Sequence, residues 1–151
     1  MNNILLCVAL LTAAFGAEGS LNKRFVIHKT FSELSPQILK LDGFYEEMGI
    51  RVIERDGNKV RASLETIFGK IEWVHEEKIV QKNDELIIII KATGKNFQFS
   101  GILTVRPYKK NTEVSLTATV GVDDPRVKSA HIDMGLNKGY SKIKRYFRKI
   151  R

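Results

Sequence analysis

Between Ile50 and Val122 the chain is punctuated by turn signals at short intervals, and this spacing constrains the fold more than any other feature. Asp56-Gly57-Asn58, Lys82-Asn83-Asp84, Gly94-Lys95 and Lys109-Lys110-Asn111 each interrupt an apolar or alternating run. Glycine supplies the positive φ that a tight hairpin needs. The runs between them, Ile50–Arg55, Lys59–Glu65, Ile67–Val80, Glu85–Thr93, Asn96–Pro107 and Thr112–Val122, are consecutive and closely joined. Parallel pairing would need long crossovers, so the reading is an antiparallel meander.

Period-two alternation identifies the inner face of that sheet. Val114, Leu116, Ala118, Val120 and Val122 alternate with Glu113, Ser115, Thr117 and Thr119. Phe97, Phe99, Gly101, Leu103 and Val105 alternate with polar neighbours in the same way. Ile71, Trp73 and His75 share a side opposite Glu72 and Glu76. One wet face implies a sheet covered on one side. Ile87–Ile90 is continuously apolar and is expected mid-sheet.

Before the meander, Arg24–His28 with Thr30-Phe31 reads as a first strand, and the folded pattern starts at Leu21. Ser32-Glu33-Leu34-Ser35-Pro36 opens a short helix that stops at Asp42-Gly43, followed by a loosely helical stretch through Phe44, Tyr45 and Met48. After the meander, Asp123-Asp124-Pro125 signals a helix start, with an Asp N-cap and Pro at the first position. Val127, Ala130, Met134, Leu136, Tyr140, Ile143, Phe147 and Ile150 form the stripe expected to cover the sheet. Gly135 and Gly139 in mid-helix are read as positions of close packing.

The same C-terminal segment holds the whole charge imbalance. From Arg126 to Arg151 nine cations face one acid, Asp133, which equals the net charge of +8 for the chain. Lys138, Lys142, Arg145 and Lys149 form one row, and Lys144, Arg148 and Arg151 a second, both away from the apolar stripe. Such a surface suits an acidic partner: anionic lipid, nucleic acid or an acidic protein. It also suits a solvated helix back, since cations near a helix C-terminus are favoured by its dipole.

At the other end, Ile4–Phe15 is a 12-residue apolar run followed by Gly16-Ala17-Glu18-Gly19-Ser20. Residues 1–19 read as a signal peptide cleaved after Gly16 or Gly19, making residues 20–151 a single domain. The expected location is therefore exported, secreted or periplasmic, with the cytoplasm as the alternative. The single cysteine, Cys7, lies inside that run. The mature chain then has no disulfide, no cysteine nucleophile and no thiolate metal site.

Catalytic motifs are few. His28, His75 and His131 have no partners at metal-ligand spacing, so no metal is expected. Neither a phosphate-cradling glycine loop nor a nucleophile elbow occurs, and no cofactor is implied. Glu46-Glu47 and Glu76-Glu77 are adjacent pairs whose members diverge. His75 lies on the inner face beside Trp73, where its ring needs a hydrogen-bond partner. An acid/base role for it, helped by Tyr45 or Glu65, is the enzymatic reading.

The order of strand, short helices, six-strand antiparallel run and long C-terminal helix resembles the START-like, or helix-grip, superfamily. Its members include polyketide cyclase-like proteins, plant pathogenesis-related class 10 proteins, lipid-transfer START domains and the G-type small protein of carbon monoxide dehydrogenase. Gly94–Val105 with Asn111–Val122 looks most like the carbon monoxide dehydrogenase branch, down to Asp124-Pro125. The resemblance implies an α+β fold, a curved antiparallel sheet of six to seven strands wrapped around the C-terminal helix. It implies an apolar cavity between them for a hydrophobic or amphipathic, lipid-like small molecule. Tyr45, Ile71, Trp73, His75, Phe97, Phe99, Leu116, Met134 and Tyr140 are the candidate lining, and the inward aromatics can equally fill a core. A non-enzymatic binding or carrier protein is thus the leading reading. Docking through the basic helix back, to an anionic membrane before nucleic acid, is the second, and a cyclase- or hydrolase-like enzyme the third.

Overall fold

A computed structural model describes residues 16–150. The elements run β1 (Ala17–Ile27), α1 (Phe31–Ile38), α2 (Leu41–Glu47), β2 (Arg51–Asp56), β3 (Lys59–Thr66), β4 (Gly69–Lys82), β5 (Glu85–Gly94), β6 (Phe97–Tyr108), β7 (Asn111–Val122) and α3 (Ser129–Lys149). β2 to β7 form the expected meander, and β1 pairs antiparallel with β7, so one seven-stranded sheet runs β1-β7-β6-β5-β4-β3-β2. The turns fall where the sequence places them. Asp56 faces Lys59 around Gly57 at φ 61°, and Lys82 faces Glu85 around Asn83 at φ 47°. Tyr108 faces Asn111 across a turn in which Lys109 takes the left-handed region at φ 56°.

The inner face has the expected parity, with Val114, Leu116 and Ala118 on β7 and Leu103 and Val105 on β6 all buried. They join Leu21, Phe25 and Ile27 of β1, Leu34 and Ile38 of α1, Leu41 and Tyr45 of α2, and Ile143 and Phe147 of α3 in one cluster. The fully buried Phe147 ring meets Phe25 edge-on at 5.8 Å and Tyr146 at 5.7 Å. A second, smaller cluster, Val60, Ala62, Trp73 and Ala92, lies on the β3–β5 part of the face. In the Ile87–Ile90 run only Ile88 is buried; Ile87 and Ile89 are half-buried on the outer face, paired with Thr104 and Ile102.

Several local expectations are corrected. β1 starts at Ala17, not Leu21, and ends at Ile27. Thr30 is instead the N-cap of α1. Its hydroxyl accepts from the Glu33 amide at 3.4 Å, and the Glu33 carboxylate accepts from the Thr30 amide at 2.8 Å. Asp42-Gly43 lies within α2 rather than ending a helix. Ile67 and Phe68 form the β3–β4 turn instead of opening a strand.

The largest shift is at α3, which starts at Ser129 with Lys128 as N-cap. The Asp124 carboxylate is consumed by the following turn, accepting from the Arg126 amide at 2.9 Å and from its guanidinium at 2.7 Å. That pairing holds the Asp124 carboxyl down, at about 2. The helix cap comes instead from His131, whose Nδ1 accepts from the Lys128 amide at 2.9 Å. The covering stripe in the first half of α3 is accordingly Ile132 and Leu136, while Ala130 and Met134 face solvent. Nothing lies within 4 Å of a Cβ placed at Gly135, so close packing does not explain that glycine. At Gly139 such an atom would meet Met48 at 3.3 Å.

Candidate functional site

The inner face of β4 carries Trp73, His75 and Glu77 in consecutive inward positions, and the three side chains join one hydrogen-bonded network. The Trp73 indole N–H donates to His75 Nδ1 at 2.9 Å. An indole nitrogen can only donate, so this contact leaves the proton of a neutral His75 on Nε2. Nε2 lies 3.0 Å from the Tyr45 hydroxyl, to which it donates. That hydroxyl donates in turn to Glu77 Oε1 at 2.7 Å.

Arg55 on β2 closes the network from outside. Its guanidinium donates to both Glu77 oxygens, at 3.0 and 3.2 Å, and also to Asp42 of α2. Tyr45 and His75 are each 2% exposed and Glu77 8% exposed. Burial disfavours the imidazolium, so the His75 pKa is lowered, against the opposing pull of the Glu77 carboxylate. Burial and the bond to Glu77 push the Tyr45 hydroxyl well above its ordinary value. The bond to Glu77 raises the Arg55 guanidinium further. In this arrangement both His75 nitrogens are engaged, so no lone pair is free to take a proton from a substrate.

Beside this network, towards the β3–β4 turn, the inner face is apolar and only half covered. Ile50, Val52, Leu64, Ile71, Phe97 and Phe99 are partly buried around the second cluster. Trp73 and Phe97 stack tilted with centroids 5.6 Å apart. Gly101 makes room for the Phe99 ring, which lies 2.9 Å from where its Cβ would be.

The sequence-derived candidates therefore divide. Tyr45, Trp73 and His75 meet in the network, and Ile71, Phe97 and Phe99 form the half-covered wall. Leu116 is core, and Tyr140 packs edge-on against Phe25 at 5.8 Å in the main cluster. Met134 does not belong to a lining: it is 70% exposed, because it lies on the opposite side of α3 from Ile132 and Leu136, which face the sheet. Glu65, the other proposed helper of His75, is exposed on the opposite face, across the β3–β4 ladder from Lys70. Of the other members, the sequence offers Glu77 only as half of a diverging acid pair and Asp42 only as a helix stop, and gives Arg55 no role. Period-two parity from His75 identifies Glu77, whereas nothing local points to Arg55.

The helix cations also divide. Lys138, Arg145 and Arg148 are exposed and Lys142 is half-buried. Lys149 donates to Glu47 at 3.2 Å, and the Lys144 ammonium sits 5.3 Å over the Tyr140 ring. Arg151 lies outside the described residues. Among the described residues no three His, Cys, Asp or Glu side chains gather as metal ligands, and no helix is long and apolar enough to cross a membrane. A cleft of about 260 Å³ lies elsewhere, between Gly16-Ala17 and the Asp123–Ser129 segment, away from the candidate lining.

No protein-family model matches the sequence, and no curated protein matches it. Solved structures match closely in shape. A protein of Thermus thermophilus is 15% identical, with a TM-score of 0.66 over 87% of this chain and 95% of that one. A START superfamily protein of Mycobacterium smegmatis is 9% identical, with a TM-score of 0.63 over 85% and 94%. An aromatase/cyclase of a Streptomyces species is 8% identical, with a TM-score of 0.66 over 89% and 96%. At these identities the match shows the fold, which is the START-like helix-grip fold.

Proposed function

We propose that this chain binds a hydrophobic or amphipathic, lipid-like small molecule against the inner face of the sheet, without catalysis. The observation that carries this is the second apolar cluster. Ile71 and Phe97 point inward yet stay partly open around a cluster that includes no helix residue. The main cluster, which Phe99 also contacts, draws in buried residues of all three helices. A wall of aromatic and aliphatic side chains beside a few fixed polar groups is the usual makeup of a small-molecule site. The engagement of both His75 nitrogens speaks against the enzymatic alternative.

Trp73 is the only tryptophan and stands at the edge of this wall, so its fluorescence is the direct reporter. Titration with a long-chain fatty acid and with an anilinonaphthalene probe should shift Trp73 emission and saturate. Ile71→Asp, at a half-buried position, should weaken both responses with the fold retained by circular dichroism. A folded protein whose Trp73 emission does not respond to either ligand would refute the reading.

We also propose export through the apolar N-terminal segment, with cleavage after Gly16. The strand pairing supports that cut over the one after Gly19, since Ala17, Glu18 and Gly19 pair with Val122, Gly121 and Val120.

A further inference from the structure

At one end of the molecule two large apolar side chains stand in solvent. Ile67, at the tip of the β3–β4 turn, is 88% exposed, and Met134 on α3 is 70% exposed. They belong to one region, because the turn is fastened to the start of α3. The Phe68 ring meets the His131 ring edge-on at 5.1 Å. The Arg126 guanidinium lies 5.7 Å from the Phe68 ring and donates to the Phe68 carbonyl at 3.4 Å. Met134 follows His131 by three residues, on the same helix face.

That face continues away from the tip as Lys138, Lys142, Arg145 and Lys149, at steps of four, four, three and four from Met134. Lys149 is paired with Glu47, but among the described residues no carboxylate lies within salt-bridge distance of Lys138, Lys142, Arg145 or Arg148. The one acid of α3, Asp133, points to the β1 flank, with its carboxylate beside Gly19. The solvent side of α3 thus combines an apolar tip with a run of unpaired cations. Cations alone would suit any polyanion. Exposed aliphatic side chains have nothing to gain from a phosphodiester backbone, but they match the headgroup–acyl boundary of a bilayer.

The geometry points to a docking surface for an anionic lipid bilayer, with Ile67 and Met134 inserted and the exposed Lys138, Arg145 and Arg148 on lipid phosphates. The test is co-sedimentation of the full chain with phosphatidylcholine vesicles, with and without phosphatidylserine, at low and high salt. Binding should require phosphatidylserine and weaken with salt. Removing each of Lys138, Arg145 and Arg148 as Gln should weaken it about fivefold. Ile67→Ser and Met134→Ser should each weaken it about tenfold, as expected for losing a buried aliphatic side chain. Both sites are exposed, so these variants should keep the wild-type circular dichroism and the Trp73 response to apolar ligand. Three results would overturn the inference: equal binding to neutral vesicles, insensitivity to the Ile67 and Met134 substitutions, or binding to duplex DNA or RNA with none to anionic vesicles.

Discussion

Tyr45→Phe isolates the hydroxyl at the centre of the buried network. The ring remains, so its edge-on contacts with His75 at 5.2 Å and Phe44 at 6.0 Å are kept. What disappears is the donor to Glu77 at 2.7 Å and the acceptor for His75 Nε2–H at 3.0 Å. A hydrogen bond to a charged group contributes about 1.5–3 kcal/mol, and a buried donor left without a partner costs about 1–3 kcal/mol. The losses do not add in full. Glu77 keeps both Arg55 bonds, and Nε2 lies 3.5 Å from Glu77 Oε1, close enough to recover part of the interaction. The net expectation is a loss of about 2–4 kcal/mol, or a fall in Tm of roughly 5–15 °C for a domain of this size. Urea unfolding followed by Trp73 fluorescence measures it. A change below about 0.5 kcal/mol would refute the network as described, because a hydroxyl that water serves equally well is the only one whose removal is that mild.

Three further outcomes are expected. Stability should fall as pH drops below about 6.5, because burial lowers the folded-state pKa of His75 while the unfolded ring titrates near 6.5. In that window the unfolded chain holds more protons, so the slope is positive, at most about 1.4 kcal/mol per pH unit. Urea midpoints at pH 7 and about pH 5 test it, and His75→Gln should flatten the difference; an unchanged midpoint in wild type contradicts it. Phe147→Ala should cost about 3–5 kcal/mol, since the ring projects from α3, fully buried, against Phe25 of β1; calorimetry showing less than about 1 kcal/mol would mean the helix does not close the core. N-terminal sequencing of protein from its native host should begin at Ala17, and a start at Ser20 or an intact Met1 would contradict the proposed cut.

Most of the sheet was legible because its determinants are local. Gly57, Asn83 and the Lys109-Lys110 turn set the reversals, and strict alternation carried Trp73 and His75 to the correct face. The C-terminal helix was legible as an element and in phase from Leu136 to Ile150, but not in its first turns. Asp123-Asp124-Pro125 has the composition of a helix cap, yet the Asp124 side chain closes its own turn with Arg126, and the helix waits for Lys128 and His131. Two residues apart on a helix, Met134 and Leu136 point to opposite sides, so the inward Leu136 takes Ile132, four residues before it, as its partner and leaves Met134 in solvent. The network was half legible. Glu77 follows from parity, but Arg55 stands in a run of charged, exposed residues on the edge strand β2, where a register shift between Val52 and Glu54 puts it opposite the inward-facing Val60.

Stability alone does not account for that network. Replacing a buried ion pair with well-packed apolar side chains is often neutral or stabilising, so a chain selected only for a full core could carry aliphatic residues at 75 and 77. The network instead stands between the closed main cluster and the half-open wall, and it ties α2 to β4 through Tyr45 and to β2 through Arg55 and Asp42. Apolar residues there would have no directional demand and could collapse toward Phe97 and Phe99. Directional bonds hold Trp73 by its indole N–H, fixing the edge of the wall. It follows that Glu77→Leu should cost the wall its shape even where it spares the fold. Trp73 emission should lose its response to apolar ligand while urea unfolding stays cooperative. Retention of wild-type ligand response in a cooperatively folded Glu77→Leu protein would return the network to a purely structural role.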